Sequence, residues 1–236
     1  VTRPATIPDA GAPVEFAGQT LVLLPQRGVW WPARGALLVA DPHLGKPASF
    51  RDAGAPVPEA VTRRDLDRLS ALIDALRPER LVVLGDFVHD RCAWRDTTMR
   101  QLAAWRGGHA STLITLVRGN HDRRAEDPPA ALGVETVEPG WRLGPIAMHH
   151  EPTREGPALC GHLHPAITLH ARRRADRLRA PCFWFSRSLG VLPAFGSFTG
   201  GAVVKAAPGD RVFAAGASSV IEVHPAPAST KASRDG

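Results

Sequence analysis

The chain is expected to form one layered α/β domain. Three observations carry that expectation: short apolar strands alternate with helical segments in the first half, the second half is mostly strand, and 44% of residues are hydrophobic, enough for a substantial core. At 236 residues, with no internal repeat and no long linker, a single domain over residues 13–223 is the simplest organisation. The Pro-, Ala- and Ser-rich ends, 1–12 and 224–236, are expected to be flexible.

The elements follow in order. TLVLL (20–24) and ALLVA (36–40) have the apolar run of strands. PEAVTRRDLDRLSALIDAL begins a helix at Pro58, and Thr62, Leu66, Leu69, Ile73 and Leu76 step by four and three along one face. RLVVLGD (80–86) is a buried strand ending on Gly85 and Asp86. WRDTTMRQLAAW (94–105) is a helix, and STLITLVRGNHD (111–122) is a strand and its loop. Strand-like runs then follow with few helices between them: PIAMHHEP, ALCGHLHP, AITLHARR, PCFWF, GAVVKA and SSVIEV.

Composition narrows the function classes. No run of eighteen apolar residues is present, which argues against a spanning helix. The N-terminus lacks the apolar stretch of a secretory signal, so a cytoplasmic protein is expected. Cys92, Cys160 and Cys182 are odd in number and form no C-x-x-C pair, so neither a disulfide framework nor a cysteine zinc site is expected. The formal net charge is +6, and Lys46, Lys205 and Lys231 are the only lysines among 29 basic residues. An Arg-rich basic chain suits phosphate-bearing partners, although an Arg-rich proteome gives the same bias.

The strands share one peculiarity: five end on residues that bind metals. The endings are Asp41-x-His43, Gly85-Asp86, Asn120-His121-Asp122, His149-His150 and His162-x-His164. In open α/β sheets ligands collect at the carboxyl ends of strands, so five such endings can converge. Singly, each is weak: Asp41 and His43 fit a strand-end turn, and Asn120 fits a left-handed one. The His162-x-His164 pair is stronger, since i and i+2 on a strand share a face.

Together, the order D-x-H, G-D, G-N-H-D, H-E-P, G-H-L-H resembles the calcineurin-like metallophosphoesterases. That resemblance implies two mixed β-sheets flanked by helices, an αββα sandwich. It also implies two divalent ions that clamp a phosphate and a nucleophilic hydroxide. A mixed nitrogen and oxygen donor set suits Mn, with Fe or Zn as alternatives. On the family pattern Asp41, His43 and His164 hold the first ion and Asp86 bridges. Asn120, His162 and one of His149 and His150, with His150 favoured by its H-E-P setting, hold the second. His121 is expected to face substrate as proton donor, with Asp122 orienting its imidazole. His89, Arg118 and His149 are candidate substrate or supporting contacts, each with an ordinary loop role as the alternative. Pro42, between two ligands, is expected to hold Asp41 extended.

The segments WPARGALLVADPHLGKPASFRDAGAPVP, RAPCFWF and LPAFGSFTGG are similar to those of the ligase-associated DNA-damage-response metallophosphoesterases, the PdeM family. This implies a Mn-dependent phosphodiesterase and DNA endonuclease associated with an ATP-dependent DNA ligase, a helicase and an exonuclease, with single-stranded or circular DNA as substrate. ARRRADRLR (171–179) is either a phosphate-facing groove or a solvated hairpin, and the CFWF aromatics either stack bases or pack a core. Two other readings stand: a small-molecule phosphoesterase acting on cyclic nucleotides, dinucleoside polyphosphates or lipid-sugar pyrophosphates, and a non-catalytic scaffold. Because every expected ligand position is filled, the scaffold is the weaker of the two.

Overall fold

The computed structural model describes residues 10–52, 54–55, 57–58, 60–170 and 177–224. Its first sheet holds seven strands in chain order: β1 (Ala12–Phe16), β2 (Gln19–Leu23), β3 (Val29–Trp31), β4 (Ala36–Val39), β5 (Arg80–Leu84), β6 (Leu113–Val117) and β7 (Val134–Val137). β1 to β4 pair antiparallel and β4 to β7 pair parallel. Each parallel step needs a crossover, and two contain the longer helices. α1 (Lys46–Asp52) and α2 (Ala60–Leu76) connect β4 to β5; α3 (Asp96–Gly108) connects β5 to β6; the short α4 (Asn120–Ala125) follows β6.

The second sheet comprises β8 (Trp141–Leu143), β9 (Ile146–Met148), β10 (Ala158–Cys160), β11 (Pro165–His170), β12 (Arg177–Phe185), β13 (Leu189–Val191) and β14 (Ala202–Val203). Its spatial order is β14-β11-β12-β13-β10-β9-β8, and β15 (Arg211–Ala215) pairs with β12 and with β16 (Val220–Val223). It too is mixed: β9, β10 and β13 run parallel, while β12 lies antiparallel to β11, β13 and β15. Among the described residues, the four α-helices lie between Lys46 and Ala125.

The unbroken apolar strands follow from this layering, because the first sheet is buried on both faces. Leu37 and Val39 pack with Leu66, Leu69 and Ile73 of α2 and Leu102 and Trp105 of α3. Their alternates, Leu38 and Ala40, pack between the sheets with Ile146, Met148, Leu159 and Phe183. Phe183 and Phe185 are both buried, and Trp184 Nε1 donates to Asp210 Oδ2 at 2.9 Å. The CFWF phenylalanines therefore build the core between the sheets rather than stack bases.

Several expectations shift. α2 starts at Ala60, after Pro58, and its buried face includes Asp65 as well as Thr62, Leu66, Leu69 and Ile73. α3 starts at Asp96 because Arg91–Trp94 makes a separate 3-10 turn, with the Asp90 carboxylate accepting from Cys92 N–H at 2.8 Å. The expected basic stretch 171–179 and the two flexible ends lie partly or wholly outside the described residues; Arg179 is exposed on β12.

Candidate metal centre

Level strand ends bring the five polar endings together. Val39 of β4 is in register with Val83 of β5, and Leu84 of β5 with Val117 of β6. Across the sandwich, Met148 of β9 pairs with Leu159 of β10. The residues that follow these strands meet where the sheets adjoin, and an Ala40–Ala194 bridge ties the two halves there.

Two donor groups that share Asp41 result, each with ligand atoms within 4.8 Å of one another: Asp41, His43 and His164, and Asp41, Asp86 and His150; a third, His43, His89 and His121, stands beside them. His43 Nε2 lies 3.7 Å from Asp86 Oδ2, and His164 Nε2 lies 3.6 Å from Asp41 Oδ1. On the other side of Asp86, His150 Nε2 is 3.5 Å from Oδ1. Asp86 thus stands between the two groups, the position a bridging carboxylate requires. His150 Nε2 is also 2.8 Å from Asn120 Oδ1 and 3.0 Å from His162 Nδ1. Its own Nδ1 lies 3.1 Å from the Leu84 carbonyl. A carbonyl only accepts, so Nδ1 carries the proton and Nε2 keeps its lone pair. Lone pairs of His150 and Asn120 then face each other across 2.8 Å, which a cation reconciles.

Two further observations show that the residues fit divalent ions. Asp41 Oδ1 and His43 Nδ1 are buried without a hydrogen-bond partner. Burial, then the charges of His121, Lys46, His164 and His89, hold the His43 imidazole down to about 2, so it is a neutral donor. Burial raises the Asp86 carboxyl, and only in part does His150 offset it. His164 sits above its ordinary value: burial lowers it, but the Asp41 carboxylate 3.6 Å away and the Gly200 backbone together outweigh that.

Of the doublet, His150 is buried within the cluster. The half-buried His149 lines a cleft of about 270 Å³ that adjoins the cluster, with Arg118, Arg123, Asn120 and His150 itself. Arg118 is not free to meet phosphate: it pairs with Asp127 at 2.7 and 2.9 Å and with Glu138 at 2.5 Å.

Asp122 does not orient the His121 imidazole. Its carboxylate accepts three backbone N–H bonds, from Asp86 at 2.7 Å, Gly119 at 2.8 Å and Phe87 at 2.9 Å. Burial pushes this carboxyl up to about 6 against those three donors. The imidazole is fixed by another group: His121 Nδ1 lies 2.6 Å from the His89 carbonyl oxygen. The His121 ring stacks on that of His89 at 4.8 Å and meets His43 edge-on at 4.9 Å. The peptide N–H of His121 donates to Asp86 Oδ1 at 2.9 Å. VRGNHD is therefore a strand end passing directly into α4, with Asp122 at the third helical position bonding back to the Gly119 N–H.

The backbone is unusual here. Asp41, His43, Asp86, His162 and His164 all have left-handed φ, between +45° and +65°. Two expectations fail for this reason. Asp41 is not extended before Pro42, and His162 and His164 lie in the turn between β10 and β11 rather than on a strand. Hydrogen bonds on both flanks hold the turns: Asp41 N–H to Gly85 O at 3.2 Å, His43 N–H to Asp86 O at 2.9 Å, and His162 N–H to Asp41 Oδ2 at 2.8 Å. The glycines of the motifs serve the same packing. A Cβ on Gly161 would meet Asp41 Oδ2 and the Ala40 side chain, and one on Gly119 would meet Asp86.

Sequence reasoning passed over Lys46, whose amine lies 5.9 Å from the Phe50 ring centre and 6.0 Å from that of Phe198. Burial lowers this amine, and the Asp86 carboxylate partly restores it. Its place in the three-residue extension after His43, Leu44-Gly45-Lys46, was the available signal.

A profile of the calcineurin-like phosphoesterase family matches residues 36–166. The crystal structure of the Pseudomonas putida nuclease MPE is similar at a TM-score of 0.78 with 41% identity, covering 90% of this chain and 100% of that one. The phosphoesterase YfcE from E. coli aligns over 80% of this chain and 97% of its own at 14% identity and a TM-score of 0.40. No curated protein sequence matches.

Proposed function

Since this chain belongs to the calcineurin-like phosphoesterase family and is a metal-dependent phosphoesterase, we propose that the ester it hydrolyses is the phosphodiester of DNA. The observation that carries the reading is the cluster of Asp41, His43, Asp86, His150 and His164, with Asn120 and His162 beside His150, on a scaffold 41% identical to a nuclease over 90% of this chain. Two divalent ions held there would supply Lewis acidity toward the phosphate and lower the pKa of a bound water.

The chain's own groups divide the remaining work. Asp41, His43 and His164 would hold one ion, and Asn120, His150 and His162 the other, with Asp86 available to both. The His89 carbonyl accepts from His121 Nδ1–H, so the proton for the departing oxygen comes from Nε2 of the His121 imidazolium, which is left as the neutral Nδ1–H imidazole. Asp122 holds the Gly119 and Asp86 peptides in place rather than touching substrate. The nitrogen and oxygen donors support manganese as the resident metal. On the family resemblance we extend the proposal to DNA repair in the cytoplasm, in association with an ATP-dependent DNA ligase, a helicase and an exonuclease.

The test supplies Mn, Zn, Mg and Fe singly and compares cleavage of circular single-stranded DNA with that of cyclic nucleotides and dinucleoside polyphosphates. Manganese-dependent nicking of the circle is expected. Turnover confined to the small compounds would overturn the DNA reading and leave the phosphoesterase intact.

A further inference from the structure

An aromatic pair stands beside the metal cluster on two unrelated segments. Phe50, on α1, is 38% exposed, and Phe198, in the loop after β13, is 36% exposed. Their rings meet edge-to-face, 5.3 Å apart. The Lys46 amine lies over both rings, and Phe50 is 6.1 Å from the His89 ring, which itself stacks on His121. Lys46, Phe50, Phe198 and Thr199 line an open cleft of about 320 Å³.

Exposed phenylalanines are ordinary when isolated; this pair is neither isolated nor loose. The loop bearing Phe198 is clamped from below by α2. The Asp65 carboxylate accepts from Ser197 N–H at 2.9 Å and from its hydroxyl, and Arg68 donates to Ser197 Oγ at 3.1 Å and to the Phe195 carbonyl. The Arg68 guanidinium also lies 4.2 Å from the centre of the buried Phe195 ring. Two aromatic faces are thus held next to a cation, one His ring away from the proton donor. A flat apolar ring bonded to an anionic backbone matches that combination: the ring stacks, and its phosphate meets the amine.

We propose that Phe50 and Phe198 receive an unpaired nucleobase flanking the scissile phosphate, with Lys46 on the neighbouring phosphate. This rests on the DNA reading above and deepens it, because a base inside a duplex presents no free face. The site therefore selects single-stranded or unpaired DNA by stacking, without reading sequence.

The experiment compares a single-stranded oligonucleotide with the same strand made abasic throughout, using the full chain loaded with Mn. The unaltered protein is expected to show a KM about tenfold lower for the base-bearing strand, the order expected from stacking one base. Phe50→Leu/Phe198→Leu keeps apolar volume but removes both ring faces; it should bring the two KM values together. Phe198→Trp should retain the difference. Equal KM values in the unaltered protein, or a difference that survives the double leucine variant, overturn the inference. Failure to cut either strand, with a small aryl phosphodiester still hydrolysed, overturns the DNA reading itself. Coincident thermal melting of the variants and the parent confirms that folding is not what is measured.

Discussion

Removing the Asp122 carboxylate strands three buried N–H groups at once. Asp122→Ala is expected to cost on the order of 3 kcal/mol, since each unpaired buried donor is expensive. At this chain length that is a fall in Tm of about 10 °C, measured by thermal unfolding. His121→Ala is the contrasting change. It should lower kcat on an aryl phosphodiester by about 10²–10⁴-fold, the range for a lost proton donor, with bound metal unchanged by elemental analysis. Loss of metal alongside kcat would make His121 a ligand instead. Both residues were visible in the sequence as G-N-H-D, but their division of labour was not. A motif shows which polar groups stand side by side. Only the fold shows that Asp122 turns toward the peptides of Gly119, Asp86 and Phe87 while the His89 carbonyl accepts from the imidazole N–H.

At the scale of elements, the sequence was most informative where periodicity is enforced by burial. The runs ALLV and LVVL read correctly as strands because both faces of the first sheet are covered. Short strands without such a run, such as Val29–Trp31, Trp141–Leu143 and Leu189–Val191, were not anticipated: three residues carry too little pattern. The α2 stripe was legible in its apolar members, whereas buried Asp65 breaks the pattern for a tertiary reason, the Phe195–Gly201 loop over a hundred residues later. Asp65→Ala leaves the Ser197 N–H and hydroxyl without their acceptor, a cost of about 1–3 kcal/mol. It should also make residues 195–201 the first point of cutting in limited proteolysis. A cleavage map identical to the parent's would remove the clamp from the account.

For the whole molecule, five strand ends from two sheets make one centre, so acid acts on fold and site together. His43 and His89 are held to about 2 and about 4 in the folded chain, burial being the largest cause for each. The unfolded chain protonates them near their usual value of about 6.5. Below that pH the unfolded state binds more protons, so stability is present above about 6.5 and lost as pH falls. His164, raised by Asp41, and the Asp86 and Asp122 carboxyls, raised by burial, oppose this with the other sign, losing their contribution as pH rises. Metal-stripped His89→Asn protein should therefore lose less Tm between pH 7 and pH 5 than the parent; an equal loss would contradict the burial of the His89 imidazole. That five endings can converge was legible from their place at strand ends, because ligands collect at the carboxyl ends of strands in open α/β sheets. The turn geometry was not, since nothing in G-H-L-H distinguishes a strand from a left-handed loop.

The left-handed ligands have a consequence for protein engineering. A residue with a Cβ is strained in that backbone, at a cost on the order of 1–3 kcal/mol, and glycine escapes it. His43, His162 and His164 all carry it. Replacing any of them with Gly is expected to yield dead enzymes that outlast the living one on heating without metal. A screen that rewards thermostability alone would accordingly drift toward disarming this protein, and selection must score both properties at once.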